Sequence, residues 1–209
     1  MHTSLFKDYY KGNKGTFYRH YEITVNNKSR PFDVYFGDPD IIFGKSIDSP
    51  YPLAFIKFPK WASEPDTRIY LHEKMKSIYP TAFEYILAHE IGHFCLFDIF
   101  GINHPKGFAS LNEFRTEVWA DYFAYLYFSK YRNIRIIGEL ENVLSEIDNL
   151  QCYLYNIPSS DFCKYSYINK MKYLEEFYAG LKIDNNDHEN THLMLNVFDE
   201  VLLQVNELV

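Results

Sequence analysis

Two segments of this chain are apolar on almost every side and yet contain polar residues four positions apart. The first covers residues 83–100 and includes His89 and His93. Side chains four apart lie on the same face of an α-helix, so the spacing predicts that both imidazoles point to one place. A helix that is apolar all round must be buried, where an unpaired polar group costs about 2–7 kcal/mol. The chain is therefore restricted to folds that give these histidines a partner.

The second segment has the same character. It covers residues 111–128 and includes Glu117 and Asp121, again four apart and surrounded by aromatic and aliphatic residues. This pattern predicts a second buried helix with two carboxylates on one face. The simpler alternative is a pair of solvated acids on a buried helix, which the histidine pair upstream disfavours.

A histidine pair at this spacing, with a glutamate directly after the first histidine, is typical of zinc hydrolases. Zinc binds imidazole nitrogen and keeps a position open for water when the protein supplies three ligands. We predict that His89 and His93 are two ligands and that Glu117 is the third. Glu90 is the predicted general base, which takes a proton from the zinc-bound water. Asp121 is expected to accept the second ring N–H of a ligand histidine and to fix its orientation.

Local signals predict the ends of both helices. Thr81 and Glu84 form a capping-box pattern, and Gly101 is a typical C-terminal stop. Ser110 and Glu113 form a second capping-box pattern, so Glu113 is predicted to start a helix rather than to bind the metal.

A second copy of the histidine motif covers residues 188–192. It follows a polar turn in which Asp187 is placed as an N-cap, and no Glu-x-x-x-Asp string follows it. We interpret it as a solvated helix start. The alternative is that His188 or His192 folds back over the site as a transition-state donor, a role for which Tyr122 is the other candidate.

The segment over residues 83–128, with HEIGH followed by EVWADYFAYL, resembles the gluzincin metallopeptidases, and most closely the ImmA/IrrE type. In that type a glutamate in an E-x-x-A-[N/D]-x-F-A string supplies the third ligand, and here the string begins at Glu117. The resemblance covers roughly residues 50–130. It implies zinc held by the two histidines and this glutamate, with Glu90 as base, in a small α+β domain.

The resemblance also implies a strand that holds peptide substrate. Residues 68–71 alternate between polar and apolar side chains and precede the predicted helix that contains His89 and His93. They fit the edge strand of such folds. Phe97 stands where many members have a further histidine, and no Leu-Met-Pro segment closes the second helix. The family's substrates and partners are therefore not carried over.

The length and the net charge of the chain limit the number of domains and the kinds of partner that we expect. The chain has 209 residues, 47% of them hydrophobic, which suffices for one domain core or one with an appended subdomain. Aromatic residues can stack on nucleic-acid bases, but a net charge of −7 without a basic run disfavours a nucleic-acid partner.

The expected compartment is the cytoplasm. No apolar signal region and no uncharged stretch of about 18 residues is found, so we expect a soluble protein without a membrane partner. Cys95, Cys152 and Cys163 are odd in number and lack C-x-x-C spacing. They are predicted to be small buried hydrophobes rather than disulfide partners or metal ligands.

The predicted fold class is α+β. Short β-like runs separated by proline and glycine predict a small twisted sheet, over Phe17 to Val25, Phe32 to Phe36 and Leu53 to Phe58. Helical patterns follow Lys130, over residues 134–155, 160–183 and 188–208. We predict a zincin-like domain over residues 1–130 and a helical C-terminal subdomain over residues 131–209 packed on it. An apolar stripe in the first of these helices is explained by that packing or, alternatively, by a partner-binding face.

These observations favour a zinc-dependent peptidase acting on a protein or peptide. A regulatory binding module that keeps zinc for stability and acts through its helical C-terminal part is the alternative. A purely helical protein with structural histidines, which predicts no metal, is the third hypothesis. Substrate identity and oligomeric state are left open.

Overall fold

The first described element is a β-hairpin whose turn consists of two asparagines. The computed structural model of the protein describes residues 15–37, 53–57, 67–99, 113–156, 167–183, 188–206 and 208. Strands β1 (Thr16–Val25) and β2 (Lys28–Gly37) pair antiparallel around Asn26 and Asn27, whose φ angles are 52° and 60°. A two-residue turn with positive φ at both positions matches the twist of the strands, and asparagine tolerates this conformation.

Two further strands complete a mixed sheet in the order β1-β2-β4-β3. Strand β4 (Thr67–His72) pairs parallel with β2 and antiparallel with β3 (Ala54–Lys57). Residues 68–71 thus lie on a strand that is bonded on both sides, and the prediction that they form an edge strand is wrong. Strand β4 is buried along most of its length, as is expected for an interior strand. The three predicted β-runs are confirmed.

One face of this sheet is apolar. Alternate positions on three strands are buried, as the two-residue period of a strand requires: Tyr21, Ile23, Val25, Phe32, Val34, Ile69 and Leu71. A short helix, α1 (Met75–Ile78), follows β4 and belongs to the same compact unit.

The chain divides into two compact units between Ile78 and Tyr79. The second unit is helical in its described parts: α2 (Pro80–Phe94) continuing as a π-helix (Cys95–Ile99), α3 (Glu113–Tyr131), a 3₁₀-helix (Ile137–Leu140), α4 (Glu141–Tyr155), α5 (Tyr167–Ile183) and α6 (His188–Gln204). The predicted boundary at residue 130 falls inside this unit. The α+β class is confirmed, and the four-stranded sheet excludes the purely helical hypothesis.

The start of α2 differs from the predicted capping box. Pro80 occupies the first turn, Tyr79 is the N-cap residue, and no side chain caps the helix. Glu84 is instead buried and accepts hydrogen bonds from Arg132, so the prediction that it caps the helix is wrong. Proline needs no hydrogen-bond partner for its nitrogen and has a helical φ, so it starts the helix without a box. The predicted features at Gly101, Ser110 and the Glu113 side chain lie outside the described residues.

Helix α4 packs inside the second unit. Its apolar stripe is buried, at Leu140, Val143, Leu144, Ile147 and Leu150, which confirms the packing interpretation.

Among the described cysteines, Cys95 is buried, Cys152 is half-buried, and neither is in a disulfide. In the described parts of the chain, no helix combines the length and the apolar character needed to cross a membrane.

Candidate metal centre

Helices α2 and α3 cross at a point where no side chain separates them. A Cβ atom on Gly92 would lie 2.8 Å from the Ala120 Cα atom and 3.1 Å from the Phe123 Cβ atom. The first distance is shorter than real Cβ atoms show and the second is tighter than most Cβ contacts, so glycine is required for the helices to approach this closely. Early α2 residues contact late α3 residues, and His93 near the end of α2 contacts Glu117 near the start of α3, so the two helices are antiparallel.

The crossing brings the three predicted ligands together. Nε2 of His89 lies 3.3 Å from Oε2 of Glu117, and Nε2 of His93 lies 3.1 Å from Oε1 of the same carboxylate. One ligand atom from each residue lies within 4.8 Å of the other two. We call these three residues the ligand cluster.

The ligand cluster is small enough to hold a metal ion. In a tetrahedral zinc site with bonds of about 2.0–2.1 Å, two ligand atoms lie about 3.3–3.4 Å apart. The two imidazole–carboxylate distances, each to a different oxygen of Glu117, are close to this value, and the three ligand atoms together span up to 4.8 Å. The imidazoles are nearly buried whereas the Glu117 side chain is 52% exposed, so one side of the cluster is open to solvent. These residues could therefore hold a metal ion that is accessible from that side.

Asp121 contacts Nδ1 of His89, the ring nitrogen that does not face Glu117. Its Oδ1 atom lies 2.8 Å from Nδ1 of His89 and 3.2 Å from the hydroxyl of Tyr85, which donates to it. A carboxylate only accepts, so Nδ1 of His89 carries a proton and donates, which leaves Nε2 facing Glu117. The predicted contact of Asp121 with a ligand histidine is thus present.

The second histidine is held differently. Nδ1 of His93 is buried and has no hydrogen-bond partner among the described residues. The ring stacks on Phe97, with centroids 5.7 Å apart and an interplanar angle of 27°. Phe97 lies in the π-helix that continues α2. The orientation of His93 therefore depends on an aromatic contact and on Glu117.

The electrostatics of the ligand cluster are dominated by carboxylates. Burial favours the neutral form of His89, but the neighbouring Asp121 and Glu117 carboxylates outweigh it and raise the pKa of His89 to about 10. Burial also opposes the charge on Glu117, yet hydrogen bonds from both histidines hold the pKa of Glu117 well below its ordinary value. The cluster thus attracts positive charge, as a cation site should.

Glu90 is buried beside the ligand cluster and is not one of the three clustered ligands. Burial raises the pKa of its carboxyl group, and the two histidines partly offset that shift. Asp121 is also buried, but the Lys170 ammonium and His89 keep the pKa of Asp121 below its ordinary value. The two acids that flank His89 therefore differ in proton affinity.

The second histidine motif begins helix α6 at His188, as predicted, and His192 is exposed. The side chain of His188 lies outside the described residues. Tyr122 is buried among aromatic rings that include Trp119 and Phe177, and its described contacts do not include the imidazoles. The described contacts therefore do not support Tyr122 as a transition-state donor, and the roles suggested for His188 and His192 stay predictions.

Sequence reasoning missed Gly92 as the crossing point and Tyr85 as the partner of Asp121. Both carried a signal. Gly92 is the smallest residue in the HEIGH string, and Tyr85 precedes His89 by four positions on the same helix face. The partner helix could not be inferred from either signal.

Comparison of the chain with protein-family models, with curated proteins and with solved structures finds no match.

Proposed function

We propose that this chain is a zinc-dependent peptidase with a zincin-like arrangement of helices α2 and α3. The observation that carries the proposal is the ligand cluster: two imidazole nitrogens at 3.3 and 3.1 Å from one carboxylate, with Asp121 hydrogen-bonded behind the first imidazole. His89, His93 and Glu117 would hold the metal. Zinc bound there would supply Lewis-acid catalysis for amide hydrolysis.

Glu90 is the proposed general base. It is buried directly beside the ligand histidines, and a carboxylate in such surroundings retains basicity because burial disfavours its charge. In the proposed reaction Glu90 takes one proton from the attacking water while a carbon–oxygen bond forms. The same proton passes to the leaving nitrogen as the carbon–nitrogen bond breaks.

The open side of the cluster supports a macromolecular substrate. Glu117 is half exposed while both imidazoles are nearly buried, so a peptide can approach without entering the helix pair. Action in the reducing cytoplasm belongs to the same proposal, and it is supported by Cys95 and Cys152, neither of which is in a disulfide.

The decisive test is the substitution Glu90→Gln in zinc-loaded protein. It removes the base and keeps the shape of the side chain, so we expect peptide cleavage to fall about 10²–10⁴-fold with zinc content unchanged. Cleavage is measured as new peptide N-termini in a proteome-derived peptide library. Glu84→Gln is the matched control, because it makes the same change at another buried glutamate of α2.

Equal cleavage by Glu90→Gln and the unsubstituted protein would refute the peptidase proposal. Zinc binding without any Glu90-dependent cleavage would favour the regulatory binding module instead. Loss of cleavage in Glu84→Gln to the same extent would show that the assay reports disturbance of α2 rather than loss of a base.

A further inference from the structure

A buried tyrosine stands behind the acid that contacts His89. Tyr85 and His89 are four residues apart on α2 and share one face. The Tyr85 hydroxyl and Nδ1 of His89 both lie within hydrogen-bond distance of the same Asp121 oxygen, at 3.2 and 2.8 Å. The three side chains form a continuous chain from the interior to the ligand cluster.

We propose that Tyr85 is a positioning residue of the metal centre, which holds Asp121 so that His89 presents Nε2 to the metal. This inference rests on the proposed function. Tyr85 is buried and its ring also packs against Phe128 of α3, which restricts the direction of its hydroxyl. Without the hydroxyl, Asp121 keeps His89 as its hydrogen-bond partner among the described residues, and its carboxylate gains freedom to rotate. A ligand with a less fixed orientation binds the metal less tightly.

The same helix pair contains a matched control. Tyr127 is also buried, and its hydroxyl donates to Oε1 of Glu84 at 2.7 Å. The substitution Tyr127→Phe thus removes the same kind of hydrogen bond between the same two helices. It leaves the contacts of Asp121 and His89 intact.

The experiment compares Tyr85→Phe, Tyr127→Phe and the unsubstituted chain in two measurements. Zinc affinity is measured by competition with a chromophoric chelator. We expect Tyr85→Phe to weaken zinc binding about tenfold, the lower end of the range for groups behind a ligand, and Tyr127→Phe to change it by less than about twofold. In the Asp121→Asn background, Tyr85→Phe should have no further effect on zinc affinity.

The second measurement uses zinc-free, ¹⁵N-labelled protein. The His89 Nδ1–H proton, assigned by its loss in His89→Gln, should exchange with water faster in Tyr85→Phe and at the unsubstituted rate in Tyr127→Phe. In the unsubstituted protein the Tyr85 hydroxyl proton should show a nuclear Overhauser effect to the His89 Nδ1–H proton, since both point to one oxygen. This last measurement decides the inference even if Tyr85→Phe does not fold.

Unchanged proton exchange and zinc affinity in Tyr85→Phe would overturn the inference, as would an equal loss of zinc affinity in Tyr127→Phe. An unsubstituted chain that binds no zinc overturns the proposed function, and the exchange measurement on zinc-free protein still decides the role of Tyr85. Loss of zinc affinity in Tyr85→Phe without any Glu90-dependent cleavage supports the inference and refutes the peptidase.

Discussion

Helices α2 and α3 contribute to two polar clusters, and the buried carboxylates of these clusters are stabilised in different ways. In the first, which we call the Glu84 cluster, Glu84 accepts from the Tyr127 hydroxyl at 2.7 Å and from Nε and Nη2 of Arg132, with the Nε contact at 2.8 Å. In the second, the ligand cluster, the Glu117 carboxylate faces two imidazoles, with Asp121 behind one of them. Both clusters lie between the same two helices.

The difference lies in the source of positive charge. The Glu84 cluster pairs one carboxylate with one guanidinium, so the chain supplies its own cation. The ligand cluster and its surroundings contain the carboxylates of Glu117, Asp121 and Glu90, and imidazoles have no permanent charge. The Lys170 ammonium stabilises the charge on Asp121 and Glu90, and protons on the imidazoles or a bound cation can balance the remaining charge. The Glu84 cluster therefore contains a permanent cation, whereas the charge of the ligand cluster depends on what its imidazoles bind.

The largest expected difference between the clusters is their response to zinc. At a free zinc concentration about a thousandfold above Kd, binding should stabilise the fold by about 4 kcal/mol, because zinc binds only the folded cluster. We expect thermal unfolding to shift upward on adding zinc and to return on adding a chelator. His93→Ala should abolish the shift and Arg132→Met should preserve it. A zinc-induced shift that survives in His93→Ala would contradict the assignment of the ligands.

The next effect concerns the Glu84 cluster. Arg132→Met leaves Glu84 buried with only Tyr127 as partner, and we expect the free energy of unfolding to fall by about 2–3 kcal/mol. This is less than the loss for a fully buried pair, because the Arg132 side chain is 48% exposed. Urea denaturation of zinc-free protein measures it, and zinc affinity should not change. An equal loss of zinc affinity would show that the two clusters are coupled rather than separate.

A third expected effect is the pH dependence of the zinc-free protein. Asp121 and Glu117 outweigh burial and raise the pKa of His89 from 6.5 to about 10. Protonated His89 therefore stabilises the fold fully below pH 6.5, and this contribution is lost as the pH rises toward 10. Glu117 has a lowered pKa, so its contribution is present above pH 4.5 and is lost in acid.

Melting temperatures of zinc-free protein should accordingly decline between pH 6.5 and 10. His89→Gln should remove most of this decline, since glutamine has no proton to lose in that range. A decline of the same size in His89→Gln would assign the alkaline loss to other groups.

Part of this structure follows from local sequence patterns. The histidines at 89 and 93 and the acids at 117 and 121 were placed on two buried helices because their spacing matches a helical turn and their neighbours are apolar. The strands of the hairpin were found from their β-like composition. The edge-strand prediction for residues 68–71 was wrong because a strand's position in a sheet depends on which strands pair with it, and β2, which pairs with β4 on one side, is distant from it in sequence.

The capping-box prediction at Glu84 was wrong for a similar reason. The pattern is local, but Arg132, directly after the end of α3, supplies a charged partner, and a buried carboxylate is better stabilised by a guanidinium than by a backbone N–H. The role of Tyr85 could not be predicted, because a tyrosine in an apolar helix is ordinarily a core residue. Only its contact with Asp121 distinguishes it from other buried tyrosines.

The amino-acid sequence alone determines which side chains share a helix face, because backbone geometry repeats every 3.6 residues whatever surrounds it. It thereby determines that His89 and His93 project together and that Asp121 follows Glu117 by one turn. Only the tertiary structure decides which faces meet. The crossing at Gly92 and Ala120 brings Glu117 against both imidazoles, and it exists because the helices can approach without a Cβ atom between them.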